Sequence, residues 1–398
     1  TERGAEGTPR TFLISSEQHD PLTVRKLVQI MLGQGVRVTM TPSPVTVEGR
    51  VYPAGTFAID AAQPKMGVVK TLLARTFFPD NYWTRRPDGT PQIYDTTTDT
   101  VAEFMGVEVV PSAVAPAACF QPIECLPCHE GKVVAGPAVG YIFDGKLNDA
   151  YLAANRLLAA GAKVSRSECC VQAGEGCLPA GTFYVEGAGL DTRKLAQIAA
   201  ETGVDFTPAE GKPASCVKPV RQLRVAMYQR YWGGNADEGW TRLLLEKFEF
   251  PYTTVFDKDI LAGDLRDRFD VLILPDDHKQ MLIGPHEFKS DPRVKQMLQW
   301  IGEMPAEYRS GLGAAGTKAV AEFVKAGGRL VALNLATDFA IEACNLNVRN
   351  VVAGLDTKAY STHGATVNIK VDPTHPIAYG MPCEAWALNV DSPAFEIK

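Results

Sequence analysis

A chain of 398 residues is too long for one ordinary domain, so two or three are expected. Its 45% hydrophobic content can fill real cores, and a net charge of −6 with both signs mixed excludes the concentrated basic stripe of a nucleic-acid surface. No apolar run is long enough to span a membrane, and no signal peptide is visible.

In chain order, Phe12-Leu13-Ile14-Ser15 reads as a strand, and Asp20-Pro21 caps and starts a helix reaching Gly33. Strands follow at 36–40 and 56–59, helices at 66–74 and 100–105, and the aromatic, proline-rich stretch 78–98 reads as an ordered loop. A second series begins with a strand at 139–143, a helix at 148–160 and a strand at 163–165. It continues with a strand at 183–185, a helix at 191–202 and a strand near 204–206, then a linker over 210–219. The two series share a motif: Tyr52-Pro53-Ala54-Gly55-Thr56-Phe57 returns as Leu178-Pro179-Ala180-Gly181-Thr182-Phe183, 126 positions later. Gly35-Val36-Arg37-Val38 and Gly161-Ala162-Lys163-Val164 keep the same offset, which marks a duplicated α/β unit. From Leu223 onward, buried strands at 224–228, 252–255, 270–275 and 329–333 alternate with helices, the pattern of a doubly wound parallel sheet.

The nine cysteines are clustered. Cys119, Cys125 and Cys128 form one group and Cys169, Cys170 and Cys177 another, while Cys216, Cys344 and Cys383 stand apart. Such clusters in loop-like sequence favour disulfides and hence an exported protein, periplasmic or extracellular. Cys125-Leu126-Pro127-Cys128-His129 also has the spacing that attaches c-type haem, with His129 as one axial ligand and Met105 or His19 available as the other. Three readings of this segment stay open: a disulfide loop, one covalent haem at Cys125, Cys128 and His129, or a zinc site of the same residues. Dense aromatic stretches, Phe77-Phe78 with Tyr82-Trp83 and Tyr228 with Tyr231-Trp232, offer surfaces for a peptide or another domain.

Several long segments resemble the C-terminal part of large secreted bacterial proteins of the M14 zinc carboxypeptidase family. They are Asp237-Glu238-Gly239-Trp240-Thr241-Arg242, Phe250-Pro251-Tyr252, Asp270-Val271-Leu272-Ile273-Leu274-Pro275, Lys325 to Leu333, Asp338-Phe339-Ala340-Ile341 and Val371 to Pro382. Gln63-Pro64 and Met105 to Val109 resemble the region linking the peptidase domain to that part. The resemblance implies a class I glutamine-amidotransferase-like C-terminal fold. It also implies a separate, missing N-terminal domain that holds zinc through a His-x-x-Glu pair and a distant His.

The chain itself lacks that chemistry. None of the histidines His19, His129, His278, His286, His363 and His375 has Glu three positions later, and no Gly-x-Cys-x-Gly elbow occurs. Asp237 and Glu238 read as helix N-terminal charges, and Ser361-Thr362-His363-Gly364 as a polar loop. A pocket around His363, His375 and Cys383 is the remaining place for a hydrolase. The expected architecture is two related small α/β units, 1–110 and 111–210, followed by a doubly wound, amidotransferase-like domain over 220–398. The expected role is a non-catalytic accessory, structural or substrate-binding portion of a secreted M14-type protein, with no catalytic or metal-binding residue of its own. Its partners would be its own peptidase domain or other copies of itself, and a peptide ligand is open. The electron-transfer reading with haem is the alternative, followed by a hydrolase acting through an unrecognised pocket or a missing partner domain. A start at Thr1 and an end at Lys398 read as a fragment trimmed at both ends or a cleavage product.

Overall fold

The computed structural model describes the chain apart from residues 1, 76–78, 93–100, 174–175, 214–215, 232–234, 289, 291, 302–304, 306–307, 310, 357, 361, 391 and 398. At 285, 293, 297, 300, 301 and 363 it describes the backbone only. Phe77, Phe78, Trp232, Ser361 and the His363 side chain, all singled out above, therefore lie outside the described residues. The fold is mixed α/β with several sheets, one of them parallel. It divides into two compact units, Thr1–Val220 with Thr362–Val390, and Arg221–Ser361 with Asp391–Lys398.

The first unit opens with α1 (Glu2–Glu6), β1 (Thr11–Ile14), α2 (Pro21–Gly33), β2 (Val38–Met40) and the hairpin β3 (Val45–Val47) and β4 (Arg50–Tyr52). β5 (Phe57–Asp60), α3 (Met66–Leu73), α4 (Val101–Phe104), β6 (Val110–Ser112) and β7 (Gln121–Ile123) complete the set. The sheet order is β6-β1-β5-β2-β7, with every neighbour antiparallel. The second set is β8 (Gly140–Phe143), α5 (Asn148–Ala159), β9 (Val164–Ser167), the hairpin β10 (Val171–Ala173) and β11 (Gly176–Leu178), and β12 (Phe183–Glu186). After it come α6 (Thr192–Thr202), β13 (Thr207–Ala209) and β14 (Val217–Pro219), in the order β13-β8-β12-β9-β14. Position for position the two orders match: fourth strand beside first, first beside third, third beside second, the split βαβ arrangement, with one added edge strand.

The repeated sequence motif is a repeated turn. Gly55 and Gly181 both sit at positive φ (81° and 96°), and their N–H groups donate to Thr41 O and Ser167 O, each at 2.8 Å. The Thr56 and Thr182 hydroxyls donate back to Pro53 O and Pro179 O at 2.8 and 2.7 Å. This turn sends the chain from the hairpin back into the third strand. Strand alternation then divides each sheet between two cores. In the first set Phe12, Ile14, Phe57 and Ile59 face α2 and α3, while Leu13, Tyr52, Ala58 and Phe120 form a second, smaller core with β3 and β4. The second set repeats this, with Phe143, Phe183 and Val185 under α5 and α6 and Ile142 and Tyr184 under β10 and β11. Two disulfides, Cys170–Cys177 and Cys169–Cys216, staple the second hairpin; the first has no counterpart.

The two sets meet along α2 and α5. Asp20 caps α2 and also accepts the Asn148 N–H at 3.0 Å, Asn148 Nδ2 donates to Thr23 Oγ1 at 3.1 Å, and Lys26 pairs with Asp149 at 2.6 Å. The observed edges differ from those expected. The first sheet runs past 110, because β6 and β7 pair with β1 and β2, and the expected linker contains β14, which pairs with β9.

The second unit contains β15 (Val225–Tyr228), α7 (Ala236–Lys247), β16 (Tyr252–Val255), α8 (Asp257–Leu261), α9 (Leu265–Arg268) and β17 (Val271–Leu274). It continues through α10 (Lys279–Ile283), α11 (Pro292–Ile301), α12 (Gly313–Lys325), β18 (Arg329–Ala332), α13 (Ala336–Ala343) and β19 (Val348–Asn350). Its parallel sheet has the order β16-β15-β17-β18. One face buries Ala226, Tyr228, Leu272 and Leu274 with residues of α8, α9, α12 and α13; the other buries Val225, Met227, Val271 and Ile273, with Leu245 of α7 packed on them. At the foot of β17, Asp270 accepts from Arg224, Arg221 and Arg266, which ties the strand to the chain before β15.

The chain then returns. β20 (His363–Lys370) and β21 (Glu384–Val390) form an antiparallel hairpin that belongs to the first unit, and β22 (Phe395–Ile397) pairs with β19 in the second. The expected single domain over 220–398 is therefore interrupted. The Arg75 guanidinium lies 5.0 Å from the Trp386 ring, and Arg166 lies 5.4 Å from Tyr379 while donating to Tyr379 O at 2.9 Å. His19 Nε2 meets Gly380 O at 2.7 Å. These contacts hold 363–390 on the first unit.

Candidate functional site

In an open parallel sheet, loops converge at the carboxyl ends of the strands where the winding direction reverses. Here the chain passes from β15 outward to β16, then back to β17 and on to β18, so the reversal lies between β15 and β17. The loops leaving β15, β17 and β18 hold a connected polar cluster. Asn235 caps α7, its Oδ1 accepting from the N–H groups of Asp237 and Glu238 at 3.0 and 3.3 Å. Its Nδ2 donates to Asp276 O at 3.0 Å. Arg230 Nε donates to Asp277 Oδ2 at 2.6 Å, and both side chains are nearly buried.

Asn334 is the unusual residue. It forms a sharp turn between β18 and α13 at φ 44°, a left-handed conformation that Asn tolerates better than most residues. Its Nδ2 donates to Asp276 Oδ2 at 2.6 Å, and the Leu335 N–H reaches Asp276 Oδ1 at 3.1 Å. Asn334 Oδ1 and the buried Glu238 Oε1 have no hydrogen-bond partner among the described residues. Burial pushes the Asp277 carboxyl up, against the downward pull of Arg230. Burial, then the charge of Asp276, pushes Asp237 up as well.

A strand-to-helix turn of this kind is where folds of the hydrolase type expose a nucleophile. Here it presents an amide, which cannot attack a carbonyl, and Cys344 lies at the far end of α13, as its C-cap. A separate groove of about 550 Å³ in this unit is lined by Ile283, Gly313, Thr317, Lys318 and Glu342 and includes no member of the cluster. Sequence reasoning read Asp237 and Glu238 only as charges at a helix start, and missed Asn334. The signal was Leu333-Asn334-Leu335, an Asn placed between a buried strand and a helix.

The other expected site residues lie elsewhere. Cys125, Cys128 and His129 are all exposed, in a stretch without regular structure, and both thiols are unpaired. A haem needs apolar enclosure, and three exposed side chains on an irregular stretch do not supply it; of the residues between them, Leu126 packs against a core, that of the first set. No group of three or more metal-ligating side chains is assembled among the described residues. His375 caps a short 3-10 turn, its Nδ1 accepting from the Ile377 N–H at 3.3 Å, and Cys383 is exposed. Of the aromatic stretches, Tyr82 and Trp83 are more than four-fifths exposed, Tyr228 is buried and donates to Asp257 at 2.5 Å, and Tyr231 stacks on Phe256 at 4.6 Å. No helix among the described residues is long and apolar enough to cross a membrane. Comparison with family models, with curated proteins and with solved structures finds no match to this chain.

Proposed function

We propose that this chain is a non-catalytic, accessory portion of a larger exported protein, of the kind its sequence resembles in M14-type carboxypeptidases, with an amidotransferase-like second unit. The observation that carries the reading is the turn at Asn334. It stands where a strand runs into a helix, at the carboxyl edge of the parallel sheet, and it holds an amide tied to Asp276. Two further features support it. α7 exposes Trp240, Leu243 and Leu244 at 68%, 51% and 57%, an i, i+3, i+4 apolar stripe that suits a partner such as a peptidase domain or a second copy. The pairs Cys169–Cys216 and Cys170–Cys177 suit an oxidising compartment.

The test is to assay the purified chain for release of C-terminal amino acids from peptides and of ammonia from glutamine, with and without added zinc. No turnover is expected. Turnover that falls in Asn334→Ala or Asp276→Asn would overturn the reading. The visible spectrum of the same sample checks the electron-transfer alternative, which requires a Soret band carried by covalent haem.

A further inference from the structure

The stretch joining the two α/β sets carries a pair of exposed thiols with two residues between them. Four of the nine cysteines are closed in disulfides, which leaves Cys119, Cys125, Cys128, Cys344 and Cys383. Cys344 is half-buried at the end of α13, and burial pushes its thiol up. Cys119 packs with Leu13, Tyr52 and Phe120, on the face of the first sheet that carries β3 and β4. Leu126, between the paired cysteines, packs with the core on the opposite face of that sheet. Cys119 and Leu126 thus pack against opposite faces of that sheet.

The segment is held between the two thiols and just beyond them. Arg25 of α2 donates through Nη2 to Pro127 O, and the Lys132 N–H donates to Asp205 Oδ1 at 2.9 Å. Gly131 lies so close to the segment after α6 that a Cβ there would come within 2.4 Å of Val204 O. The stretch is thus anchored at 127 and at 131–132, while its two thiols face water beside the exposed imidazole of His129. Closing so short a loop costs little chain entropy. It needs Cα atoms about 4.4–6.8 Å apart, and residues 125–128 lie in no helix or strand that would resist that approach.

We propose that Cys125 and Cys128 form a reversible dithiol–disulfide couple that exchanges with small-molecule disulfides. One thiolate attacks R–S–S–R, forming a mixed disulfide and expelling R–S⁻. The second thiolate attacks the protein sulfur of that mixed disulfide, closes the Cys125–Cys128 bond and expels the second R–S⁻. The protein loses two electrons and two protons, and R–S–S–R becomes two R–SH. The site is independent of the cluster around Asn334.

The test incubates the full chain in mixtures of reduced and oxidised glutathione, quenches with acid, alkylates, and maps peptides by mass. The Cys125–Cys128 peptide is expected to pass reversibly between a doubly alkylated form and a linked form, the latter lighter than the dithiol by about two mass units. Cys169–Cys216 and Cys170–Cys177 should stay closed over the same range, which also reports that the fold is intact. Cys128→Ser should lose the linked form completely and stop as a mixed disulfide at Cys125, with Cys125→Ser giving the mirror result. Any of four results would overturn the proposal: independent mixed disulfides on both thiols of the unaltered chain, a link to Cys119 or Cys383, thioether-bound haem, or a Cys125–Cys128 bond that excess glutathione does not open.

Discussion

The duplicated turn offers a matched pair of substitutions, Gly55→Ala and Gly181→Ala. Both glycines lie at positive φ, so in each an L side chain adds about 1–2 kcal/mol of backbone strain. Their surroundings differ. A Cβ on Gly55 would meet Ser16 Cβ at 3.4 Å, an ordinary contact, whereas one on Gly181 would lie 2.7 Å from Tyr379 Cβ and 3.2 Å from Gly380 N. Those atoms are not the free end of a side chain, so the turn around Tyr379 must move, adding about 1–3 kcal/mol of overpacking. The expected costs are therefore about 1–2 kcal/mol for Gly55→Ala and about 2–5 kcal/mol for Gly181→Ala. With two compact units, a single unfolding free energy is a poor measure, and peptide-resolved hydrogen exchange is the better assay. Gly181→Ala should raise exchange in 372–383 as well as around 179–183, while Gly55→Ala should act around 53–57 alone. Equal costs, or unchanged exchange in 372–383, would refute the reasoning.

Arg166 should matter in the same place. Its guanidinium lies over the rings of Tyr151, Phe183 and Tyr379, so Arg166→Met is expected to cost about 2–3 kcal/mol, seen as roughly hundredfold faster exchange in 376–381. The disulfides should rank by loop size: removing Cys169–Cys216, which spans 47 positions, costs roughly 4 kcal/mol, and removing Cys170–Cys177, which spans 7, roughly 2.5, read from denaturation midpoints of Cys→Ala pairs. Asp270 governs acid sensitivity of the second unit. The hydrogen bond from Arg224, then that from Arg221, holds its carboxyl well below the usual carboxylate range. Its stabilisation is full above the unfolded value of about 3.9 and is lost as pH falls below it toward the depressed folded value. Asp270→Asn should therefore be less stable than the unaltered chain at neutral pH, and the gap in urea midpoints should narrow toward about pH 2. A gap independent of pH would rule out that role.

Much of the fold was written in local pattern. Asp20-Pro21 predicted the start of α2, Asp191 the start of α6, and the apolar run 270–275 a strand buried on both faces. The motif repeated at 126 residues was legible because one turn needs the same glycine and threonine in both copies. What escaped was long-range. Antiparallel pairing within each set is decided by which strands meet, and period-2 alternation does not record that. The hairpin at 363–390 reads as part of the last domain because nothing local in Tyr379 or Trp386 names Arg166 or Arg75 as a partner. The candidate site was half visible for a similar reason. Asp237 and Glu238 announce a helix start, but the left-handed turn at Asn334 is a property of backbone geometry that a single Asn only hints at.

The hydrogen bond from Arg166 to Tyr379 spans 213 residues. During synthesis the chain makes both repeated sets, and then the whole of 221–361, before the segment that closes over them leaves the ribosome. The first unit must wait part-built, with the seats for Tyr379 and Trp386 open to water, while a later stretch of chain is free to fold around its own parallel sheet. The second unit depends on residues 395–397 in turn, because β19 gains its partner only when β22 arrives. A chain interrupted before residue 390 would thus leave both units unfinished, and a chaperone that shields the exposed seats would act on the long interval between residues 220 and 390.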